Sequence, residues 1–298
     1  MALTAFDPDV EKRINQIIGG IRNLPTPPIV FEQIQKVIND PNASSAKVAK
    51  ILGEDAAMSV KVLKLTNSAF YGLSREVESV KHAVTIIGLE AVRNLVLSAS
   101  VLNMFKSDNS NKEFHEEFWR HSLATAVAAR VIAQKFKNGT IFNPDPAFTS
   151  GLVHDIGRIV ICCFLPADHA RIMDELRSKQ ELLVYEAEEK ILGFNHAHLG
   201  SHLIKSWKLP DRMAEAIAFH HNPQDENGSQ NYAHLVCLAD HLAHVVFPPT
   251  IVENSHHMLP AGVSEILGLD ETGLEGLKGN LMEEYMKAET FMKMAGVG

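Results

Sequence analysis

Cysteine is scarce. Cys162, Cys163 and Cys237 are the three in the chain, and they form neither a Cys-x-x-Cys pair nor an even set for a disulfide framework. A disulfide-stapled secreted domain is thereby excluded, and a reducing cytoplasm is expected. Basic residues are outnumbered too. The 28 Lys and Arg against 36 Asp and Glu leave a formal net charge of −8, the wrong sign for a general nucleic-acid coat, which needs a basic surface. A local basic pocket stays compatible with that balance. No run approaches the roughly 18 consecutive apolar residues of a membrane helix. The opening stretch carries Asp7, Asp9 and Glu11 where a signal peptide would be basic. Nor is there a convincing strand, an internal repeat or a low-complexity block.

Histidine is what the chain has in excess, with 15 residues. Such a supply favours a metal site and also makes chance spacings easier to find. With 298 residues, 46% hydrophobic and 21% charged, the composition is that of an ordinary globular protein, long enough for one large domain or two intimate lobes.

Apolar residues recur at helical spacing along nearly the whole length, so an all-α fold is expected. Val10, Ile14, Ile17 and Ile21 make a first stripe. The Pro25-Thr26-Pro27-Pro28 break ends it and opens the next helix. Ser44 or Ser45, Asp55 and Ser79 stand where helix N-caps belong. Asn67 to Gly72 reads as a turn anchored by Phe70 and Tyr71, and Gly88 separates a short helix from a longer one running to Phe105. Ser107 to Asn111 is polar and rich in cap-formers, the best internal linker. Beyond it come helices over 113–136, 168–178, 182–191, 196–207, from Pro210 to His220-His221, 232–246 and 271–294, with polar loops at 139–146 and 222–231. Four segments follow: an N-terminal helix (1–21), an N-terminal helical lobe (22–106), a histidine-bearing lobe (107–247) and a helical tail (248–298).

Gly151 to Arg158, Gly-Leu-Val-His-Asp-Ile-Gly-Arg, is the stretch the rest is organised around. His154 and Asp155 sit among Leu152, Val153, Ile156, Ile159, Val160 and Ile161, so the segment reads as a buried helix. An unpaired carboxylate there costs several kcal/mol or more. A divalent cation would be one partner; a core His and Asp capping each other is the alternative. Other candidate ligands lie on separate helices. Glu117 and His121 are four apart, on one face; then come His196, His220-His221, and Asp240 at the end of an apolar run. Taken singly, Glu117 is a solvated carboxylate. His198 and His202 fall off the face of His196; His241 and His244 flank Asp240, where either could support that carboxylate, with solvated surface histidines as the first expectation.

The order His121, His154-Asp155, His196, His220-His221, Asp240 resembles the ligand order of the HD superfamily of metal-dependent phosphohydrolases. Within its HD-GYP subgroup, His154 to Gly157 looks like the His-Asp-x-Gly element, His196 to Gly200 like H-x-x-x-G, and His220-His221 like the paired histidines. Glu117 resembles the carboxylate some members use for an additional metal. Two positions depart: Arg158 stands where a Lys is expected, and Asn222-Pro223-Gln224 follows in place of Gly-Tyr-Pro.

Over residues 22 to 245 the chain is more similar to the HDOD (HD-related output domain) family of bacterial signalling proteins. Leu24-Pro25, Val60 to Lys64, Asn67 to Gly72, Ile86 to Leu89, Phe118 to His121, Trp207 to Pro210 and His220 to Pro223 carry the likeness. It implies an HD-like multi-helix domain with an N-terminal helical lobe, a regulatory role and a signalling protein partner. Many members have lost the ligands; this chain keeps the set Glu117, His121, His154, Asp155, His196, His220, His221 and Asp240.

His nitrogen plus carboxylate oxygen without thiolate suits iron, manganese, nickel, zinc or magnesium. With two ions Asp155 is the natural bridge, and Arg158 would offer a planar fork to phosphate. Signal transduction with a structural or regulatory metal is therefore the first expectation. A phosphodiesterase or phosphohydrolase acting on a nucleotide or cyclic dinucleotide, with Asp155 and Arg158 in catalysis, is the second. DNA binding by the short helices between Ser44 and Phe105 comes last, since that stretch has no basic excess.

Overall fold

The computed structural model describes residues 8–21, 28–40, 42–105, 112–135, 142–179, 181–223, 232–250 and 259–295, without the side chains of 103 and 290–295. The Ser107–Asn111 linker, most of the Leu24–Pro28 break, much of the loops at 139–146 and 222–231, and His256-His257 lie outside them. Every regular element among the described residues is a helix, so the fold is all-α. The chain divides into two compact units, Met1–Leu24 with Ser107–Leu281, and Pro25–Lys106 with Met282–Gly298.

Helix α1 (Pro8–Gly20) belongs to the first unit. The other unit holds α2 (Ile29–Ile38), α3 (Ser45–Gly53), α4 (Ala56–Thr66), α5 (Val80–Ile87) and α6 (Leu89–Met104). Three of these start at side-chain caps: Ser44, Asp55 and Ser79 accept from the backbone N–H of Lys47, Met58 and His82 at 3.3, 2.9 and 3.2 Å, each satisfying a donor the helix start leaves open. Their inward stripes are buried, Val48 and Leu52 on α3 and Met58, Val62 and Leu65 on α4. After α4, the Asn67 amide pairs with both backbone groups of Val77, donating at 2.9 Å and accepting at 2.7 Å, a side-chain imitation of a strand pair. Gly88 turns the chain between α5 and α6 at φ 88°, a left-handed conformation that residues with a Cβ avoid.

In the larger unit α7 (Lys112–Lys135) is the axial helix, flanked by α8 (Pro144–Val153) and α14 (Tyr232–Val246). Between them in sequence come α9 (Ile156–Phe164), α10 (Pro166–Ser178), α11 (Val184–Leu192), α12 (His196–Ser206) and α13 (Asp211–Ala218). The short α15 (Val263–Ile266) follows in this unit, and the long α16 (Glu271–Ala295) begins in it and passes to the other unit after Leu281; the pattern of apolar residues marks only α16. Ala-rich α7 buries almost every side chain from Phe114 to Ala133, which small residues permit on opposite faces of one helix.

His154-Asp155 does not sit inside a continuous helix, as the apolar run suggested. The two residues form a turn between α8 and α9, with Asp155 at φ −95°, ψ 15°. The run is apolar because both flanks of the turn are buried, and burial alone does not mark a two-residue interruption of a helical run. Residues 144–164 are also apolar and long enough to cross a membrane by composition; 89% of an apolar 18-residue stretch within them is buried inside the chain, and the segment carries the Asp155 carboxylate. Core packing accounts for its hydrophobicity.

Candidate metal centre

Five segments of the larger unit converge. His121 comes from the middle of α7, His154 and Asp155 from the α8–α9 corner, His196 from the first residue of α12, His220 and His221 from just beyond α13, and Asp240 from α14. Glycines let these elements close. A Cβ on Gly157 would stand 2.1 Å from the His196 carbonyl oxygen, and one on Gly151 would stand 2.8 Å from Ala126 Cα of α7. At Gly200 it would meet Ile217 Cγ2 of α13 at 2.9 Å. So the glycine of His-Asp-x-Gly is where two backbones touch, and the glycine of H-x-x-x-G makes room for the Ile217 and Ile156 side chains.

The centre itself is a ring of donor atoms. Asp155 Oδ1 lies 3.1 Å from His196 Nε2, 3.4 Å from His154 Nε2 and 3.5 Å from His220 Nε2, yet neither Asp155 Oδ1 nor His220 Nε2 makes a hydrogen bond among the described residues. His221 Nε2 stands 2.7 Å from His196 Nε2. On the other side His121 Nε2 is 3.0 Å from Asp240 Oδ1, 3.3 Å from His154 Nε2 and 4.0 Å from Asp155 Oδ2. His154, Asp155, His196, His220 and Asp240 are at most 4% exposed.

Three of the imidazoles are held from behind. The Nδ1 atoms of His154 and His220 bond the backbone carbonyls of Gly151 and Ile217 at 2.8 and 2.7 Å, and His196 Nδ1 bonds Glu188 Oε2 at 2.6 Å. Those bonds leave three Nε2 atoms facing Asp155 Oδ1.

In the metal-free protein the charges are unbalanced. Burial alone would raise the Asp155 carboxyl, but the charges of His154, His196 and Arg158 hold it well below the usual carboxylate range. Burial would likewise lower His196, but Glu188 and Asp155 outweigh it and raise the ring to about 10. His121 falls to about 4, through burial first and the His244 charge second. Burial lowers His220 as well, whereas Asp155 and Asp240 overcome burial to raise His154.

These residues fit a divalent cation. Bonds of ~2.1 Å from nitrogen and oxygen to a zinc-like ion put neighbouring ligand atoms ~3.0–3.4 Å apart, for octahedral and tetrahedral geometry respectively. The spacings of 3.1 to 3.5 Å from Asp155 Oδ1 to three imidazoles and of 3.0 Å from Asp240 Oδ1 to His121 match, whereas His154–Asp240 at 3.6 Å, His121–Asp155 Oδ2 at 4.0 Å and His196–His221 at 2.7 Å lie outside that range. Four overlapping ligand groups arise among the described residues: two share Asp155, namely His121, His154 and Asp155, and Asp155, His196, His220 and His221; two share Asp240, namely His121, Asp240 and His244, and His154, His220 and Asp240.

Two further candidates from the sequence sit differently. Arg158 reaches the centre from α9, its Nη1 donating to Asp155 Oδ2 at 3.1 Å. Glu117 is buried one turn before His121 but belongs to none of the ligand groups. Arg120 donates to one of its oxygens and Thr250 Oγ1 to the other, at 2.7 Å. That brace ties the start of α7 to the segment after α14, where Arg120 also donates to Pro248 O at 3.0 Å.

His244 corrects the sequence reading. It is not a solvated surface histidine; its Nδ1 lies 3.0 Å from Asp240 O and 3.1 Å from Asp240 Oδ1, and its ring is 4.4 Å from that of His121. Burial would lower its pKa, but Asp240 raises it to about 9. Its i+4 spacing from Asp240 was the available signal. Glu188 and Tyr185 escaped notice because they fall in Tyr185-Glu186-Ala187-Glu188-Glu189, which reads as a solvated face. Yet Glu188 is 2% exposed, and the Tyr185 ring packs 4.6 Å from that of His221.

A family model described as the HDOD domain matches residues 24–223. The curated relative is an uncharacterized protein of Treponema pallidum (strain Nichols), 23% identical over 206 residues, or 69% of this chain and 39% of that protein. This chain thus spans about two-fifths of its relative's length. Among solved structures, one from Shewanella amazonensis SB2B, provisionally named a phosphohydrolase, is similar with TM-score 0.73 and 23% identity, covering 97% of this chain and 98% of that one. Another, from Marinobacter aquaeolei VT8 and provisionally named a signal transduction protein, has TM-score 0.76 and 22% identity over 96% of this chain and 65% of that one. At these identities the likeness is one of fold.

Proposed function

Because the chain belongs to the HDOD family, we propose that it is a bacterial signal-transduction protein whose larger unit holds a divalent transition metal, such as iron, manganese, nickel or zinc, as a structural or regulatory element. The observation that carries this reading is the set of three outward-anchored Nε2 atoms around the buried Asp155 Oδ1. A donor cluster of that kind is costly without a cation, because buried polar atoms left unbonded are unfavourable. His121, His154, Asp155 and Asp240 would hold one ion, and Asp155, His196, His220 and His221 a second. When bound, such an ion supplies Lewis acidity and stabilises developing negative charge.

This chain's own residues then do the rest. The carbonyls of Gly151 and Ile217 aim His154 and His220 inward. Arg158, spent on Asp155 Oδ2, neutralises that carboxylate rather than presenting both arms of its fork to a phosphate. That engagement favours the regulatory reading, in which ligands from five segments lock the unit and metal loss releases it. Cys162, Cys163 and Cys237 are in no disulfide, which fits a cytoplasmic setting. A signalling protein is the expected partner.

The shared Asp155 favours a second reading, a metal-dependent phosphohydrolase acting on a nucleotide or cyclic dinucleotide, because bridging two cations is the arrangement of two-metal phosphoryl chemistry. The provisional name of the Shewanella protein points the same way. To separate the two, the metal-loaded protein is assayed against a generic phosphodiester and a cyclic dinucleotide beside Asp155→Ala. The regulatory reading expects metal-dependent thermal stabilisation without hydrolysis. Hydrolysis that vanishes in Asp155→Ala would establish the enzyme instead.

A further inference from the structure

We infer that Glu188 is a positioning residue of the metal centre, fixing His196 with Nε2 on the metal side and making it the most strongly donating imidazole of the cluster. The inference rests on the metal reading above. Of the proposed ligands, His154, His196 and His220 are anchored through Nδ1, and among these three only His196 meets a charge. His154 and His220 meet neutral carbonyls at 2.8 and 2.7 Å, whereas His196 Nδ1 meets the Glu188 carboxylate at 2.6 Å. A bond with an ionised acceptor is shorter and about twice as strong as a neutral one, and a carboxylate behind a metal-bound imidazole raises its basicity.

Glu188 is 2% exposed, and the same oxygen accepts from the His196 backbone N–H at 2.8 Å, one of the open donors at the start of α12. Another of those donors is served by Asn195, so the ring contact is what sets Glu188 apart. Asn195 Oδ1 accepts from His198 N at 3.0 Å, and the next residue on α11, Glu189, accepts from Asn195 Nδ2 at 2.7 Å. Glu188 thus grips the ring and the backbone of one ligand, while Tyr185, one turn earlier on α11, covers the ring of His221. A single helix that supplies no ligand therefore supports two of them.

The test compares wild type, Glu188→Gln and Glu188→Ala by Co²⁺ affinity in chelator competition, by the visible absorption of bound Co²⁺, and by the NMR signal of the hydrogen-bonded His196 Nδ1 proton in metal-free protein with ring-labelled histidine. Glu188→Ala is expected to weaken Co²⁺ binding by ~10–100-fold, to change the Co²⁺ spectrum and to lose the Nδ1 proton signal. Glu188→Gln keeps an acceptor oxygen, so it should retain the proton signal and recover part of the affinity with a shifted spectrum. A purely structural role would lower the melting temperature of both variants and leave affinity and spectrum at wild-type values, which overturns the inference. Wild type that takes up no Co²⁺ would defeat the metal reading; the Nδ1 proton then decides alone, its persistence in Glu188→Ala overturning the inference and its loss there, with retention in Glu188→Gln, upholding it.

Discussion

Replacing Gly157 with Ala perturbs the centre without removing a donor atom. The added methyl carbon would stand 2.1 Å from the His196 carbonyl oxygen and 2.8 Å from both its carbonyl carbon and its Cα. All three are backbone atoms, so no side chain can swing aside. Contacts of this kind settle at about 3.2 Å or more, so α9 and the start of α12 must separate by roughly 1 Å. Overpacking on that scale costs ~1–3 kcal/mol, equivalent to a fall of ~2–12 °C in melting temperature for a unit of this size. The effect on the centre should exceed the effect on stability. Metal–ligand bonds tolerate deviations of only ~0.2 Å, and the displaced residue is itself a proposed ligand, its Nε2 3.1 Å from Asp155 Oδ1. Gly279→Ala is the control, since nothing lies within 4 Å of its Cβ and an exposed helical Gly→Ala gains up to ~1 kcal/mol. Differential scanning calorimetry and metal titration of both variants read the two effects. Wild-type metal affinity in a folded Gly157→Ala protein would refute the argument that this close approach seats His196.

Metal-free protein should be most stable near neutral pH. Burial holds His121, His169 and His198 at about 4, so the unfolded chain binds more protons than the fold between ~4 and ~6.5, and stability falls as pH drops through that window. His196 and His244, raised to about 10 and about 9 by their carboxylates over the effect of burial, act oppositely: their contribution is complete below ~6.5 and is lost as pH climbs toward those values. Melting temperatures at pH 5, 7 and 9 test this, and metal should cancel the alkaline fall by replacing the His196 proton; a monotonic profile contradicts the assignment. Glu117→Gln should leave metal stoichiometry unchanged and cost ~1 kcal/mol, because its oxygens serve Arg120 and Thr250. Loss of an ion in that variant would return Glu117 to the ligands.

Much of the fold is legible because local chemistry and burial agree. Ser44, Asp55 and Ser79 are cap residues directly before apolar stripes, and they cap. The break at His154-Asp155 is not legible, since both flanks are fully buried and the apolar pattern continues through the turn. The seven histidine and aspartate candidates could be named from types and spacing, and they do meet; their distances come only from helices far apart in sequence. What supports them is harder to read. Glu188 lies eight residues before His196 in a run of carboxylates, and only the packing of α11 shows which one turns inward. Glu117 shares a helical face with His121, yet the brace to Thr250, 133 residues away, takes its carboxylate.

Elemental analysis of the purified protein, wild type beside Asp155→Ala and His220→Ala, tests the central claim most directly. The account predicts about one or two transition-metal ions per chain in wild type and strongly reduced content in both variants, with the wild-type melting temperature falling on chelation. A folded wild type that stays empty after reconstitution with iron, manganese, nickel and zinc would contradict it.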